Sequence, residues 1–199
     1  MSTDFVLASG SSVRADLLRN ACVPFRVETA RIDEDALRAA LELEDTSPRD
    51  MSDLLAEAKA AKVAAKNPDA MVLGCDQVLE FRGQTLTKPH DPDQAMAQLA
   101  SLASQTHDLY SAAVLFDHGR PVWRHIGRVR MTMRSLSQEY IKSYVDRNWD
   151  EIRHCVGAYM LEREGARLFS GIDGDYFSVL GLPLLQLLDH LAERGVIET

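Results

Sequence analysis

The sequence predicts a mixed α/β (α+β) fold, a mixed sheet with flanking helices. Three observations predict it. Strand and helix patterns alternate through the first half of the chain. Two long strand patterns then follow one another with only a turn between them. An amphipathic helix closes the chain. Neighbouring strands joined by a tight turn run antiparallel, so the sheet is not strictly parallel. With 199 residues, 46% hydrophobic and 26% charged, the chain can bury the core of one domain, 1–199, with length enough for two lobes sharing a cleft.

Taken in order, Phe5-Val6-Leu7-Ala8 is a short apolar run that predicts a buried strand. Ser9-Gly10-Ser11-Ser12 follows, then Val13, Leu17, Leu18 and Ala21 at helical spacing, with the serines as capping candidates. Pro24 ends that pattern, and residues 25–28 predict a second strand. Residues 33–43 are helical by composition. Ser47-Pro48-Arg49-Asp50 interrupts, and 51–66 predicts a stronger helix ended by Asn67-Pro68. Residues 71–75 predict a buried strand that stops before Asp76, and Arg82-Gly83 a hairpin turn. Then come a helix at 91–103, long strands at 107–116 and 122–133, and a helix at 137–146. Short strands are predicted at 168–172 and 176–180, and the closing helix at 183–194.

Charge and cysteine content narrow the function. A net charge of −8 argues against coating nucleic acid, which calls for a basic excess. A small anionic substrate needs only a few local cations. Cys22, Cys75 and Cys155 are odd in number and widely spaced, which predicts reduced, mostly buried thiols. No apolar run is long enough for a membrane span, and Met1-Ser2-Thr3-Asp4 lacks the basic start of a secretory signal, so a cytoplasmic location is expected.

Several residues could carry chemistry. Ser9, Ser11 and Arg14 stand at a strand-to-helix junction, where exposed N–H groups and a helix N-terminus favour phosphate; an ordinary capped helix reads the same way. Asp76 could bind a hard divalent cation or orient water, or simply open a turn. Lys59 and Lys88 are candidate phosphate cations, although a solvated helix face also explains Lys59. Asp33-Glu34 supplies carboxylates that suit a helix start equally well. Gly157-Ala158-Tyr159 could wall a planar ligand or mark a bend. His107, His118, His125 and His154 share no metal-ligand spacing and read as surface or core histidines, and no Gly-x-Ser-x-Gly elbow is present.

In order along the chain, Leu7 to Arg14, Asp33-Glu34, Ala58-Lys59-Ala60, Gly74 to Val78, Lys88-Pro89, Gly157-Ala158-Tyr159 and Gly181 to Leu184 resemble the Maf-like nucleotide pyrophosphatases, a family first named for septum-formation inhibition. The resemblance covers essentially the whole chain. It implies an elongated mixed sheet, two lobes around a deep cleft similar to the inosine triphosphatase architecture, and a homodimer. It also implies hydrolysis of a nucleoside triphosphate to the monophosphate and pyrophosphate with Mg²⁺ or Mn²⁺. By position, Asp76 matches the proton acceptor and Glu34 the second carboxylate of the cleft, both toward the metal. Ser9, Ser11, Arg14, Lys59 and Lys88 match the phosphate-binding positions. A dTTP/UTP pyrophosphatase, or a nucleotide-binding regulator of cell division with little turnover, are the alternatives.

The family branch that prefers dTTP and UTP has Arg, Thr and Gln where this chain has Val13, Gln77 and Glu162. Gln77, Glu162 and Cys155-Val156-Gly157 resemble instead the branch acting on 7-methyl-GTP, although Val13 is smaller than the aromatic often found there. A carboxylate at Glu162 suits guanine, whose N1–H and N2–H₂ are adjacent donors. Thymine and uracil offer one N–H between two carbonyls.

Overall fold

The computed structural model describes residues 4–198; Met1–Thr3, on which the reading of the N-terminus largely rests, lie outside the described residues. Strand β1 (Phe5–Leu7) leads into α1 (Ser12–Asn20), β2 (Arg26–Val27), α2 (Glu34–Leu43) and α3 (Pro48–Ala64). Next come β3 (Met71–Phe81), β4 (Gln84–Leu86), α4 (Pro92–Leu102), β5 (Thr106–Asp117), β6 (Arg120–Met133) and α5 (Gln138–Ile152). The chain finishes with β7 (Phe169–Asp173), α6 (Tyr176–Val179) and α7 (Leu184–Glu193).

The seven strands form one mixed sheet in the order β2-β1-β3-β5-β6-β7, with β4 beside β3. The β2-β1-β3 pairings are parallel and the others antiparallel. Long β3 meets β1 only over residues 71–73 and β4 only over residues 79–81. Between these pairings, residues 74–78 have a strand partner on one side only, β5. That gap in the sheet is where a ligand can reach backbone and side chains of the central strand.

Burial explains why the first part of β3 (residues 71–75) and the last part of β5 (residues 112–116) carry no charged or polar side chain. Over their shared half, Val72 and Val114 face α3 through Ala56, Ala60 and Val63, while Leu73 and Leu115 face Leu18 of α1 and Leu187 of α7. Both faces are covered, so both sets of alternating side chains must be apolar. In the other half, Leu79, Leu109 and Val129 pack with α4 and α5. Gly74 lets α3 approach β3: a Cβ there would stand 2.1 Å from the Ala56 carbonyl oxygen and 2.7 Å from the Ala60 nitrogen.

Four local expectations need correction. Ser47-Pro48 does not interrupt a helix but starts one: Ser47 Oγ accepts from Asp50 N at 3.1 Å, and proline is tolerated in a first turn because its missing N–H has no helical partner there. Strand β3 does not stop before Asp76; it runs on to Phe81, so Asp76 lies inside the strand. Residues 176–180 are not a strand. The Asp175 carboxylate accepts from Phe177 N at 3.3 Å and Ser178 N at 2.8 Å and caps the short helix α6. Of the three free thiols, Cys22 is exposed and Cys155 half-buried, leaving only Cys75 in the core.

Candidate active site

The site begins with a helix placed against the gap in the sheet. Because Gly74 admits α3 so closely, Lys59 reaches the central strand. Its Nζ donates to Asp76 Oδ1 at 2.6 Å and stands 2.7 Å from Glu34 Oε2 on α2. The Lys59 side chain is only 12% exposed and that of Asp76 5%, so the solvated-face reading of Lys59 does not hold. Asp76 Oδ2 is buried with no hydrogen-bond partner. Arg38 Nη2 lies 3.7 Å from it and 4.0 Å from Glu34 Oε1. Burial works to raise the Glu34 carboxyl, but the charge and hydrogen bond of Lys59 and the charges of Lys88 and Arg38 outweigh it and hold the group below its ordinary value. Two carboxylates and two cations are thus interlocked in a mostly buried cluster.

Arg38 was not among the residues singled out from sequence. The signal was present: Arg38 follows Glu34 by four positions, so the two share a face of α2. What sequence could not supply was the burial of Arg38, whose Nη1 also contacts Met51 Sδ at 3.4 Å.

The second wall is the start of α1. Ser11 caps the helix, its Oγ accepting from Arg14 N at 3.3 Å. Ser9 Oγ accepts from Ser11 N and from Arg14 Nη1, both at 3.3 Å, so each hydroxyl retains its own hydrogen to donate. Arg14 is braced: Nε donates to Gly181 O at 2.7 Å and Nη1 to Cys75 O at 3.2 Å, filling part of the gap beside β3. Gly181 has φ +92°, which favours glycine, and a Cβ there would press on the Arg14 guanidinium, 3.0 Å from Nη2. Lys88 is exposed at the mouth, anchored by the buried Pro89 that follows it.

These groups face one cavity of about 680 Å³. Glu34, Lys59, Asp76, Lys88, Ser11 and Arg14 line it, with Arg38. Val13, Gln77 and Glu162 line it as well. Ser9 lines an adjoining arm of about 620 Å³ that shares Ser11, Arg14, Glu34, Lys59 and Lys88. Ser9, Ser11, Val13, Arg14, Glu34, Lys59, Asp76, Gln77, Lys88 and Glu162 therefore all border these two adjoining spaces, whereas Asp33, Gly157 and Ala158 line neither. Gln77 is partly committed elsewhere: its Nε2 donates to Ser111 Oγ at 2.9 Å and to the carbonyls of Ser178 and Val179 at 3.1 and 2.9 Å. Its amide nitrogen ties β3 to α6, which leaves the carbonyl end as what it can offer a ligand.

The far wall is Tyr159 to Glu162. It is shaped by the left-handed residues Gly157 (φ 76°) and Ala158 (φ 57°) and pinned from below by His107 Nε2, 2.7 Å from Tyr159 Oη. Burial pushes the Cys155 thiol up to about 11, with the Glu162 charge adding to it, so this cleft cysteine is a neutral thiol near pH 7 and a poor nucleophile.

A sequence model described as Maf-like protein matches residues 4–194. The chain is 57% identical to the nucleoside triphosphate pyrophosphatase of Ruegeria pomeroyi over 199 residues, the whole of both chains. It is 43% identical to that of Caulobacter vibrioides over 195 residues, 98% of both, and 44% identical to the 7-methyl-GTP pyrophosphatase of Brucella abortus over 198 residues, 100% of both. This chain belongs to the Maf family. The Maf cleft described above includes no group of three or more His, Cys, Asp or Glu side chains placed to hold a metal ion among the described residues. It does hold two carboxylates, one with an unpartnered buried oxygen. That donor set fits Mg²⁺, which typically takes one or two carboxylates together with substrate phosphates rather than a full protein cage.

Proposed function

We propose that this Maf family protein hydrolyses a nucleoside triphosphate between its α- and β-phosphates, giving the nucleoside monophosphate and pyrophosphate, and that it prefers a 7-methyl-GTP-like base. One observation carries the reading: Asp76 Oδ2 is a buried acceptor without a partner, in a cleft whose walls are Lys59, Arg38, Lys88 and the N-terminus of α1. The names of the related proteins point the same way.

The chemistry follows from the residues. The α1 N-terminus, the Ser9 and Ser11 hydroxyls and the braced Arg14 receive phosphate oxygens. Lys59, Arg38 and Lys88 offset the charge that builds on the departing pyrophosphate, and they act strongly because Lys59 and Arg38 are mostly out of water. Asp76 Oδ2 accepts the proton of the water that attacks the α-phosphorus. The hydrogen bond from Lys59 to Oδ1 fixes the carboxylate plane for that transfer. Glu34 and Asp76 are the residues that would hold Mg²⁺ or Mn²⁺, and such an ion, when bound, polarises the phosphoryl oxygens.

Glu162 lines the cleft apart from the phosphate cluster and accepts from guanine N1–H and N2–H₂ in this reading. N7-methylation, by adding positive charge to the base, strengthens its hold. Pyrophosphate release measured over a nucleotide panel tests this. 7-Methyl-GTP is expected to turn over faster than dTTP or UTP, and Glu162→Gln is expected to narrow the ratio by about 1–3 kcal/mol in kcat/KM. Faster turnover of dTTP than of 7-methyl-GTP contradicts the base assignment. Tight binding without turnover across the panel contradicts the enzyme reading.

The proposal includes a homodimer acting in the cytoplasm, with no nucleic-acid partner. The net charge of −8 supports the last point, and no helix among the described residues is long and apolar enough to cross a membrane. Light scattering on the purified chain checks the dimer.

A further inference from the structure

A second cavity, of about 600 Å³, lies beside the cleft between α1, α6, α7 and the segment carrying Glu162. Val13, Met160, Glu162 and Leu180 line both spaces, so cleft and annex meet at one partition. Behind the partition Leu17, Phe177 and Leu188 form an apolar wall, with Asn20 and Arg163 also lining the space. At the mouth, Tyr176 and Leu185 remain 47% and 50% exposed. Large apolar side chains left half in water around a concave apolar wall gain when an apolar group covers them. The volume falls within the range of roughly 300–1,000 Å³ that accommodates small-molecule ligands.

We infer that the annex is a subsite for an apolar group on the exocyclic N2 of guanine, which makes guanine nucleotides with a bulky apolar N2 substituent a substrate class of this cleft. The inference rests on the reading of Glu162 as the acceptor for the guanine edge. That edge carries N1–H and N2–H₂ side by side. Replacing one N2 hydrogen leaves N1–H and the other N2–H for the carboxylate; with that N2–H turned toward N1, the new group points past the N3 end of the edge that Glu162 holds. Glu162 stands on the partition, so the substituent leaves the cleft where the annex begins. The partition is also lined by Val13, a short side chain that obstructs the way between the two spaces less than a longer one would. A substituent on N7 starts from the other side of the purine and does not reach this opening. Asp16 on the annex rim is engaged by Arg19 at 2.6 Å, which offsets its charge beside an apolar guest.

Calorimetric binding of N2-benzyl-GMP and GMP to the full chain in the presence of Mg²⁺ tests the subsite. N2-benzyl-GMP is expected to bind at least tenfold more tightly. Leu188→Trp, which narrows the annex, and Leu185→Arg, at its exposed mouth, are each expected to erase the advantage while GMP binding stays within about twofold. The second variant covers the case in which the half-buried Leu188 does not tolerate tryptophan. Equal or weaker binding of the benzyl compound overturns the inference, as does an advantage that survives Leu185→Arg in folded protein. Pyrophosphate release from GTP and N2-benzyl-GTP is measured alongside. Tight binding of N2-benzyl-GMP with no pyrophosphate from any nucleotide overturns the proposed reaction and leaves the subsite standing. Pyrophosphate release from GTP without a benzyl advantage in binding overturns the subsite and leaves the reaction standing.

Discussion

Asp76 has two oxygens in different states, and the proposed chemistry uses the difference. Oδ1 is held by Lys59 at 2.6 Å, while Oδ2 is buried without a hydrogen-bond partner. An unsatisfied buried carboxylate oxygen costs about 1–3 kcal/mol or more, a cost that a functional site can sustain. Asp76→Asn keeps the shape and removes the proton acceptor. It is expected to lower kcat by about 10²–10⁴-fold, with a much smaller change in nucleotide affinity measured without divalent metal, as single-turnover kinetics and equilibrium binding would read. A second residue away from the reacting atoms sets a pH dependence. Burial, against a smaller opposing effect of the Asp108 charge, lowers the His107 pKa from 6.5 to about 4. The folded chain therefore keeps His107 neutral where the unfolded chain protonates it. Its contribution to stability is complete above pH 6.5 and declines as pH falls toward 4, by about 3 kcal/mol in all. His107→Gln, which retains a polar partner for Tyr159, is expected to flatten the dependence of Tm on pH in that window. An unchanged slope would contradict the assignment.

At the scale of elements, the contact of α3 with β3 makes the site, and Gly74 makes the contact. Gly74→Ala puts a methyl group onto the α3 backbone, 2.1 Å from the Ala56 carbonyl oxygen. Moving α3 away is expected to destabilise the fold by about 1–3 kcal/mol in denaturant titration and to lower kcat, because Lys59 leaves Asp76. Wild-type kcat in a destabilised Gly74→Ala variant would separate packing from catalysis. The same scale shows what was legible in sequence. Strands β1, β5 and β6 and helices α1, α4 and α7 follow from periodicity and caps such as Ser11 and Asp91, whose chemistry is local. The course of β3 through Asp76 was not legible, because a carboxylate inside a buried strand is compatible with the pattern only once Lys59 and Arg38 converge on it. Nor was α6: Tyr-Phe-Ser-Val favours a strand, and the Asp175 cap outweighs that preference over a single turn.

For the whole molecule, the candidate site is a property of the sheet's connectivity. Central strand β3 borrows β1 at one end and β4 at the other, and the unpaired stretch between them opens onto residues drawn from α1, α2 and α3 and from both sides of the chain's middle. Ser9, Glu34, Lys59, Asp76 and Lys88 are separated by 12 to 25 residues, so no spacing rule joins them. Their order along the chain was recognisable as a family pattern, and the fold supplies the physical reason for it. The annex beyond Glu162 had no counterpart in sequence, since it arises from α1, α6 and α7 meeting only in three dimensions. The central claim is that the cleft directs water to the α-phosphorus. Hydrolysis of 7-methyl-GTP in ¹⁸O-labelled water, followed by mass spectrometry of both products, tests it most directly. The expected result is one ¹⁸O in 7-methyl-GMP and none in pyrophosphate; label in pyrophosphate, or release of labelled orthophosphate, would contradict it.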